Sequence, residues 1–167
     1  MAKITIGGNE THTIGDLPEI GKAVPDFNLV GKDMQEKTLA SYYGQKVILN
    51  IYPSIDTGVC AASTKRFNEE ASKLENTRVV CVSKDLPFAL NRYCEAEGIK
   101  NLDNLTNFRD EGAFGKKYGV EITDGAFKGL NARAIVVVDE EGKVVYTELV
   151  PEVGQEPNYE KAISALG

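Results

Sequence analysis

The stretch Lys46-Val47-Ile48-Leu49-Asn50-Ile51-Tyr52-Pro53-Ser54-Ile55-Asp56-Thr57-Gly58-Val59-Cys60 decides the fold. Lys46 to Tyr52 is a near-continuous apolar run, the mark of a strand buried on both faces. Pro53 closes the strand, and Ser54 to Val59 carries turn-forming residues. From Cys60 to Leu74 the period changes. Phe67, Ala71 and Leu74 recur at spacings of four and three, which predicts a helix. Outward from there, Thr77-Arg78-Val79-Val80-Cys81-Val82-Ser83 predicts a second buried strand. Asp85 is placed to cap a following helix, with Pro87 in its first turn, Phe88, Leu90, Tyr93 and Cys94 within it, and Gly98 at its stop. Strand, helix, strand, helix is a parallel-sheet pattern with right-handed crossovers.

The flanks extend that pattern. Arg109 to Tyr118 predicts a short helix ending at Gly119. Ala132 to Asp139 and Lys143 to Val150 read as two strands joined by the tight turn Glu140-Glu141-Gly142, and Tyr159 to Leu166 as a closing helix capped by Asn158. At the other end, Lys3-Ile4-Thr5-Ile6 and Thr11-His12-Thr13-Ile14 flank Gly7-Gly8-Asn9-Glu10, a hairpin. Val24 to Val30 is a further extended piece that Pro25 introduces. A β-α-β-α unit followed by β-β-α is the thioredoxin-like arrangement. The expected fold is therefore α/β, thioredoxin-like, with an added N-terminal β-hairpin at 1–15 on one domain spanning 1–167.

Composition narrows the function classes. The chain has 167 residues, 42% of them hydrophobic, which suits one domain that buries its core without staples. Nineteen Lys and Arg against 25 Asp and Glu give a formal net charge of −6. An acidic chain with no basic run has no electrostatic footprint for nucleic acid or for a membrane surface. The longest apolar stretch, Ala134 to Val138, is far too short to span a bilayer. The N-terminus lacks the apolar stretch of a secretory signal, so the expected location is the cytoplasm, where cysteines stay reduced. Three scattered cysteines and one histidine, His12, argue against a metal site, and no cofactor is expected. A cysteine hydrolase is poorly supported as well, since its thiol needs a paired histidine.

Cysteine is left to carry the chemistry. Cys60 stands where a buried strand gives way, through a glycine-containing turn, to a helix. Free N–H groups and the dipole at a helix N-terminus favour a thiolate over a thiol. Thr57-Gly58-Val59-Cys60 occupies the place of a C-x-x-C motif with its first cysteine replaced, so no local disulfide can form. Taken from the residues alone, Thr57 is equally turn chemistry, Arg133 equally the start of a strand in a surface ion pair, and Cys94 equally a packing residue of its helix. Cys81, flanked by valines, reads as core, His12 as an exposed strand residue, and Glu140-Glu141 as a solvated turn.

The motif P-x-x-x-T-x-x-C at Pro53 to Cys60 resembles that of the peroxiredoxins, and within them the thiol peroxidase subfamily of atypical two-cysteine type. The likeness covers nearly the whole chain. It includes G-x-x-x-P-D-F at Gly21 to Phe27, the loop Ser54 to Cys60, a second cysteine 34 positions downstream, and Asn131-Ala132-Arg133 opening a late strand. The resemblance implies roles. Cys60 is the peroxidatic cysteine, which takes the terminal peroxide oxygen and becomes a sulfenic acid. Thr57 orients thiolate and peroxide, Arg133 stabilises charge as the O–O bond breaks, and Pro53 shields the thiolate from water. Cys94 is the resolving cysteine, which closes an intramolecular disulfide. The resemblance also implies hydrogen peroxide and organic hydroperoxides as substrates, thioredoxin as reductant, and a homodimer. Phe88, Leu90 and Phe127 are candidate pocket walls. Two other readings are a redox-sensing thiol switch and a thiol–disulfide exchange protein; loss of the first C-x-x-C cysteine argues against the second. If the helices carrying Cys60 and Cys94 run parallel, the two sulfurs lie at opposite ends, about 15 Å apart over ten residues. A disulfide tolerates Cα separations of about 4.4–6.8 Å, so oxidation is expected to unwind part of the Cys94 helix.

Overall fold

A computed structural model describes residues 1–167. Strands β1 (Lys3–Ile6) and β2 (Asn9–His12) form a separate antiparallel hairpin. Its turn is the pair Gly7-Gly8, both at positive φ, so the second strand begins two residues earlier than expected. Seven further strands form one sheet: β3 (Asn28–Gly31), β4 (Glu36–Thr38), β5 (Lys46–Ile51), β6 (Thr77–Ser83), β7 (Leu102–Thr106), β8 (Ala134–Val138) and β9 (Val144–Leu149). Their order is β4-β3-β7-β6-β5-β8-β9, with β5, β6 and β7 parallel at the centre and every other pairing antiparallel. The helices are α1 (Gly58–Ala71), α2 (Pro87–Glu97), α3 (Ala113–Tyr118) and α4 (Tyr159–Ser164). This is the expected α/β, thioredoxin-like fold with its N-terminal hairpin.

Alternation along the strands divides the core. Val47, Leu49, Ile51, Val80 and Val82 face one layer, which Phe27, Phe114 and Tyr118 complete. Ile48, Tyr52, Val79, Cys81, Ile135 and Val137 face the other, under Phe67 of α1, Leu90 and Cys94 of α2, and Tyr159 and Ala162 of α4. Both cysteine-bearing helices therefore cover the same face.

Several boundaries differ from expectation for local reasons. Helix α1 begins at Gly58, with Thr57 extended as its N-cap, so Cys60 is its third residue rather than its first. Leu86, not Asp85, is the N-cap of α2, because the Asp85 carboxylate is taken up elsewhere. Helix α3 is shortened at its start by a turn in which the Asp110 carboxylate accepts from Gly112 and Phe114 N–H, with Glu111 and Gly112 at positive φ. Asn158 does cap α4, accepting from the Lys161 N–H at 3.0 Å. Strand β7 lies where no element was expected. Asp and Asn are poor strand formers, but here Asp103 is held by Arg78 at 2.6 Å and Tyr42 at 2.7 Å, and Asn104 by Tyr52 and Cys94.

Candidate active site

Cys60 is buried in the first turn of α1, a turn that carries no acidic residue. Its backbone carbonyl accepts from Ser63 at 3.1 Å and Thr64 at 2.9 Å, which fixes the turn from below. Arg133, just ahead of β8 and 1% exposed, donates through Nη2 to the Cys60 sulfur at 3.1 Å. Its Nε donates to the Val153 carbonyl at 2.8 Å, which aims the guanidinium. Nη1 is buried with no partner. The Cys60 sulfur is the one side-chain acceptor that this buried guanidinium reaches, and its planar fork fixes the direction of that contact.

Arg133 forms the floor of a cleft of about 410 Å³, walled by Ile6 and Gly7 of the hairpin, by Thr57 to Val59, by Phe127 and by Glu152 to Gln155. The hairpin is fastened there: Thr5 exchanges backbone hydrogen bonds with Pro151 and Val153, at 2.8 and 2.9 Å. The Glu152 carboxylate, held below its usual range by backbone N–H donors, accepts from Gly8, Gly154 and Thr5. The Thr57 hydroxyl donates to the Ser54 carbonyl at 3.0 Å, and Thr57 lines the cleft. Pro53 is buried behind the loop and is not part of the wall. Of the three candidate wall residues, Phe127 lines the cleft, Leu90 is fully buried in the core, and Phe88 is 71% exposed on α2.

Cys94 is 5% exposed on α2, and the Asn104 side-chain amide donates to its sulfur at 2.9 Å. Burial pushes its thiol up, with Asn104 and Lys32 acting the other way. Cys60, Cys81 and Cys94 are all free. The expected axial gap between Cys60 and Cys94 is not what separates them. Asp56 pairs with Arg92 at 3.3 Å, the Tyr93 hydroxyl donates to the Ala61 carbonyl at 3.1 Å, and Lys65 pairs with Glu97 at 2.8 Å. These contacts slide α2 along α1 until Cys94 is level with the first turns of α1. The two sulfurs have different partners: Cys60 meets Arg133, just ahead of β8, and Cys94 meets Asn104 on β7, with β6 and β5 between those two strands in the sheet. Cys81 is fully buried in β6 and its thiol is pushed up to about 12, chiefly by burial, which is the behaviour of a core residue.

The sequence pattern that defines the redoxin family matches residues 19–163. A thiol peroxidase of Corynebacterium glutamicum is 51% identical over 166 residues, covering 99% of both chains. A thiol peroxidase of Mycobacterium tuberculosis is 52% identical over 167 residues, covering 100% of this chain and 99% of its own. The chain belongs to the thiol peroxidase family of peroxiredoxins. It is a thiol-dependent peroxidase. Among solved structures, a peroxiredoxin-like protein from Aquifex aeolicus superimposes with a TM-score of 0.91 at 39% identity, over 98% of this chain and 95% of that one.

Within this peroxiredoxin fold, some residues at the site were invisible to spacing arguments. Asp85 accepts from Ser54 Oγ, Ile55 N–H and Ser83 Oγ, each at 2.7 Å, and so clasps the Cys60 loop to the root of α2. Tyr52 donates to Asn104 at 3.2 Å, and Asn104 in turn to Cys94. No local pattern flags Asp85 or Asn104, since the first follows Ser83-Lys84 and the second follows Asp103. His12 is not free on its strand: its Nδ1 lies 2.8 Å from Asp124. No three His, Cys, Asp or Glu side chains cluster as a metal site, and no helix is long and apolar enough to cross a membrane.

Proposed function

We propose that the protein reduces hydrogen peroxide and organic hydroperoxides through Cys60, resolves the product with Cys94, and is recycled by thioredoxin. The observation that carries this is the buried Arg133 fork, which lines the cleft, donates through Nη2 to the Cys60 sulfur at 3.1 Å and keeps Nη1 unpaired. In the first step the Cys60 sulfur attacks the terminal oxygen of the hydroperoxide. The O–O bond breaks, sulfur gains the terminal hydroxyl, and the proton given up by the Cys60 thiol ends on the departing oxygen, which leaves as water or an alcohol. Negative charge thus moves from sulfur onto oxygen. A guanidinium with donors on both positions stabilises that charge throughout, and a preorganised donor of this kind is worth about 10²–10³ in rate. The Thr57 hydroxyl accepts a hydrogen bond from the peroxide O–H and so orients the substrate. Pro53 backs the loop against water. The apolar contribution of Ile6, Val59, Phe127 and Val153 to the cleft supports organic hydroperoxides as substrates.

In the second step the Cys94 thiol displaces the oxygen from the Cys60 sulfenic acid as water, and the disulfide forms. Thioredoxin then reduces it by dithiol exchange. The reading includes a cytoplasmic homodimer built on one domain spanning residues 1–167, supported by the family resemblance.

The test is a thiol count on denatured protein before and after one equivalent of hydrogen peroxide, repeated with Cys60→Ser. A fall from three thiols to one, absent in the variant, is expected, followed by turnover with thioredoxin. A fall to two removes Cys94 as resolver. A disulfide without turnover favours the redox-sensing switch, and no fall leaves the Cys60 motif unused and reopens the other two readings.

A further inference from the structure

We propose that Asn104, oriented by Tyr52, is a latch that retains Cys94 in the reduced fold and so limits the resolving step; the proposal rests on Cys94 being the resolving cysteine. Asn104 is 4% exposed in a strand whose other buried residues are mostly apolar, and both ends of its side chain are committed. Nδ2 donates to the Cys94 sulfur at 2.9 Å, and Oδ1 accepts from the fully buried Tyr52 hydroxyl at 3.2 Å. Tyr52 is the residue immediately before Pro53. The latch is therefore strung between the strand that ends in the Cys60 loop and the helix that carries Cys94. A buried amide costs free energy unless it is paired, and leucine at this place would pack the same layer without that requirement.

The chemistry shows what the pairing does. Condensation joins the Cys60 and Cys94 sulfurs, and the thiol hydrogen leaves with the sulfenic hydroxyl as water. Cys60 starts against Arg133 beside β8, and Cys94 starts against Asn104 on β7. Cys94 has to let go of Asn104 before an S–S bond can form. A contact present in the starting state and absent from the transition state slows the step by its own free energy. Its absence from the disulfide also tilts the equilibrium toward the dithiol. A net hydrogen bond of ordinary strength corresponds to about fivefold in each.

The experiment compares the wild-type protein with Asn104→Leu and Tyr52→Phe, the second variant guarding against misfolding of the first. Reduced protein is mixed with one equivalent of hydrogen peroxide and quenched over time. Mass spectrometry then follows dimedone-trapped sulfenic acid and the disulfide. The reduction potential is measured in a thiol–disulfide buffer. For Asn104→Leu, the ratio of the resolving rate to the peroxide rate is expected to rise about fivefold. The potential should fall by about 20 mV, which is that factor for a two-electron couple. Tyr52→Phe should move both in the same direction by less. Unchanged or slower resolution in both variants overturns the latch while leaving Cys94 as resolver. Absence of a Cys60–Cys94 disulfide in the wild type overturns both.

Discussion

Arg133 joins three parts of the proposed active site through one side chain. Its three nitrogens have three separate fates: Nε on the Val153 carbonyl, Nη2 on the Cys60 sulfur, and Nη1 buried and unpaired. Only a rigid planar fork can hold all three at once; a lysine ammonium at the same place would keep the charge and lose the geometry. Arg133→Lys is therefore expected to slow the reaction of Cys60 with hydrogen peroxide by about 10²–10³, the usual worth of a preorganised donor. Stopped-flow measurement of thiol loss against peroxide concentration checks this. A drop of less than about threefold would mean that charge alone suffices and that the orientation set by Val153 is idle.

Among the elements, the α1 and α2 pair behaves as one fastened unit. Asp85 clasps the Ser54-Ile55 loop through three hydrogen bonds, and Arg92, Tyr93 and Glu97 bind α2 along α1. Asp85→Ala leaves the Ile55 N–H and two serine hydroxyls without their acceptor, and is expected to destabilise the fold by about 1–3 kcal/mol in urea denaturation. Since Cys60 meets Arg133 and Cys94 meets Asn104 on β7, the proposed disulfide is expected to loosen α2 locally. Amide exchange across residues 86–97 should be faster in the oxidised protein than in the reduced one; equal exchange would show that the sulfurs meet without unwinding. These same elements mark how far sequence reasoning reached. The buried strands β5, β6 and β8 were legible because their apolar runs leave no alternative, and the Gly98 and Gly119 stops because each needs positive φ. The strand-to-helix junction that carries Cys60 was legible as well. Strand β7 was not, because Leu102-Asp103-Asn104-Leu105-Thr106 is a strand only through partners far away in sequence. Asp85 was misread as a cap for the same reason. Local propensity cannot report a carboxylate whose acceptor role lies some thirty residues upstream.

On the scale of the whole molecule, the sheet presents a polar row in its buried face: Asn50, Cys81 and Asn104 lie side by side on β5, β6 and β7, under the two helices. Cys81 sits at the centre of that row, with the Asn50 amide 3.6 Å from its sulfur. Its thiol is pushed up to about 12 by burial, so the folded state resists ionising a group that the unfolded chain ionises freely. The sign follows from linkage. A pKa raised on folding leaves stability intact below the unfolded value, near 8.5–9, and removes it progressively as pH climbs toward the folded value. Each unit of pH inside that window costs about 1.4 kcal/mol from this one group. Buried tyrosines act in the same direction: burial also pushes up the Tyr52 and Tyr118 hydroxyls. Replacing the thiol with a side chain of similar volume that cannot ionise isolates the cysteine contribution. Urea denaturation of wild-type and Cys81→Val protein should give a stability difference that is flat between pH 6 and about 8.5, then moves in favour of the variant by about 1 kcal/mol per pH unit above it. A difference independent of pH would mean that Cys81 ionises as easily in the sheet as in the unfolded chain, and that the row of polar groups around it, rather than burial, controls its charge.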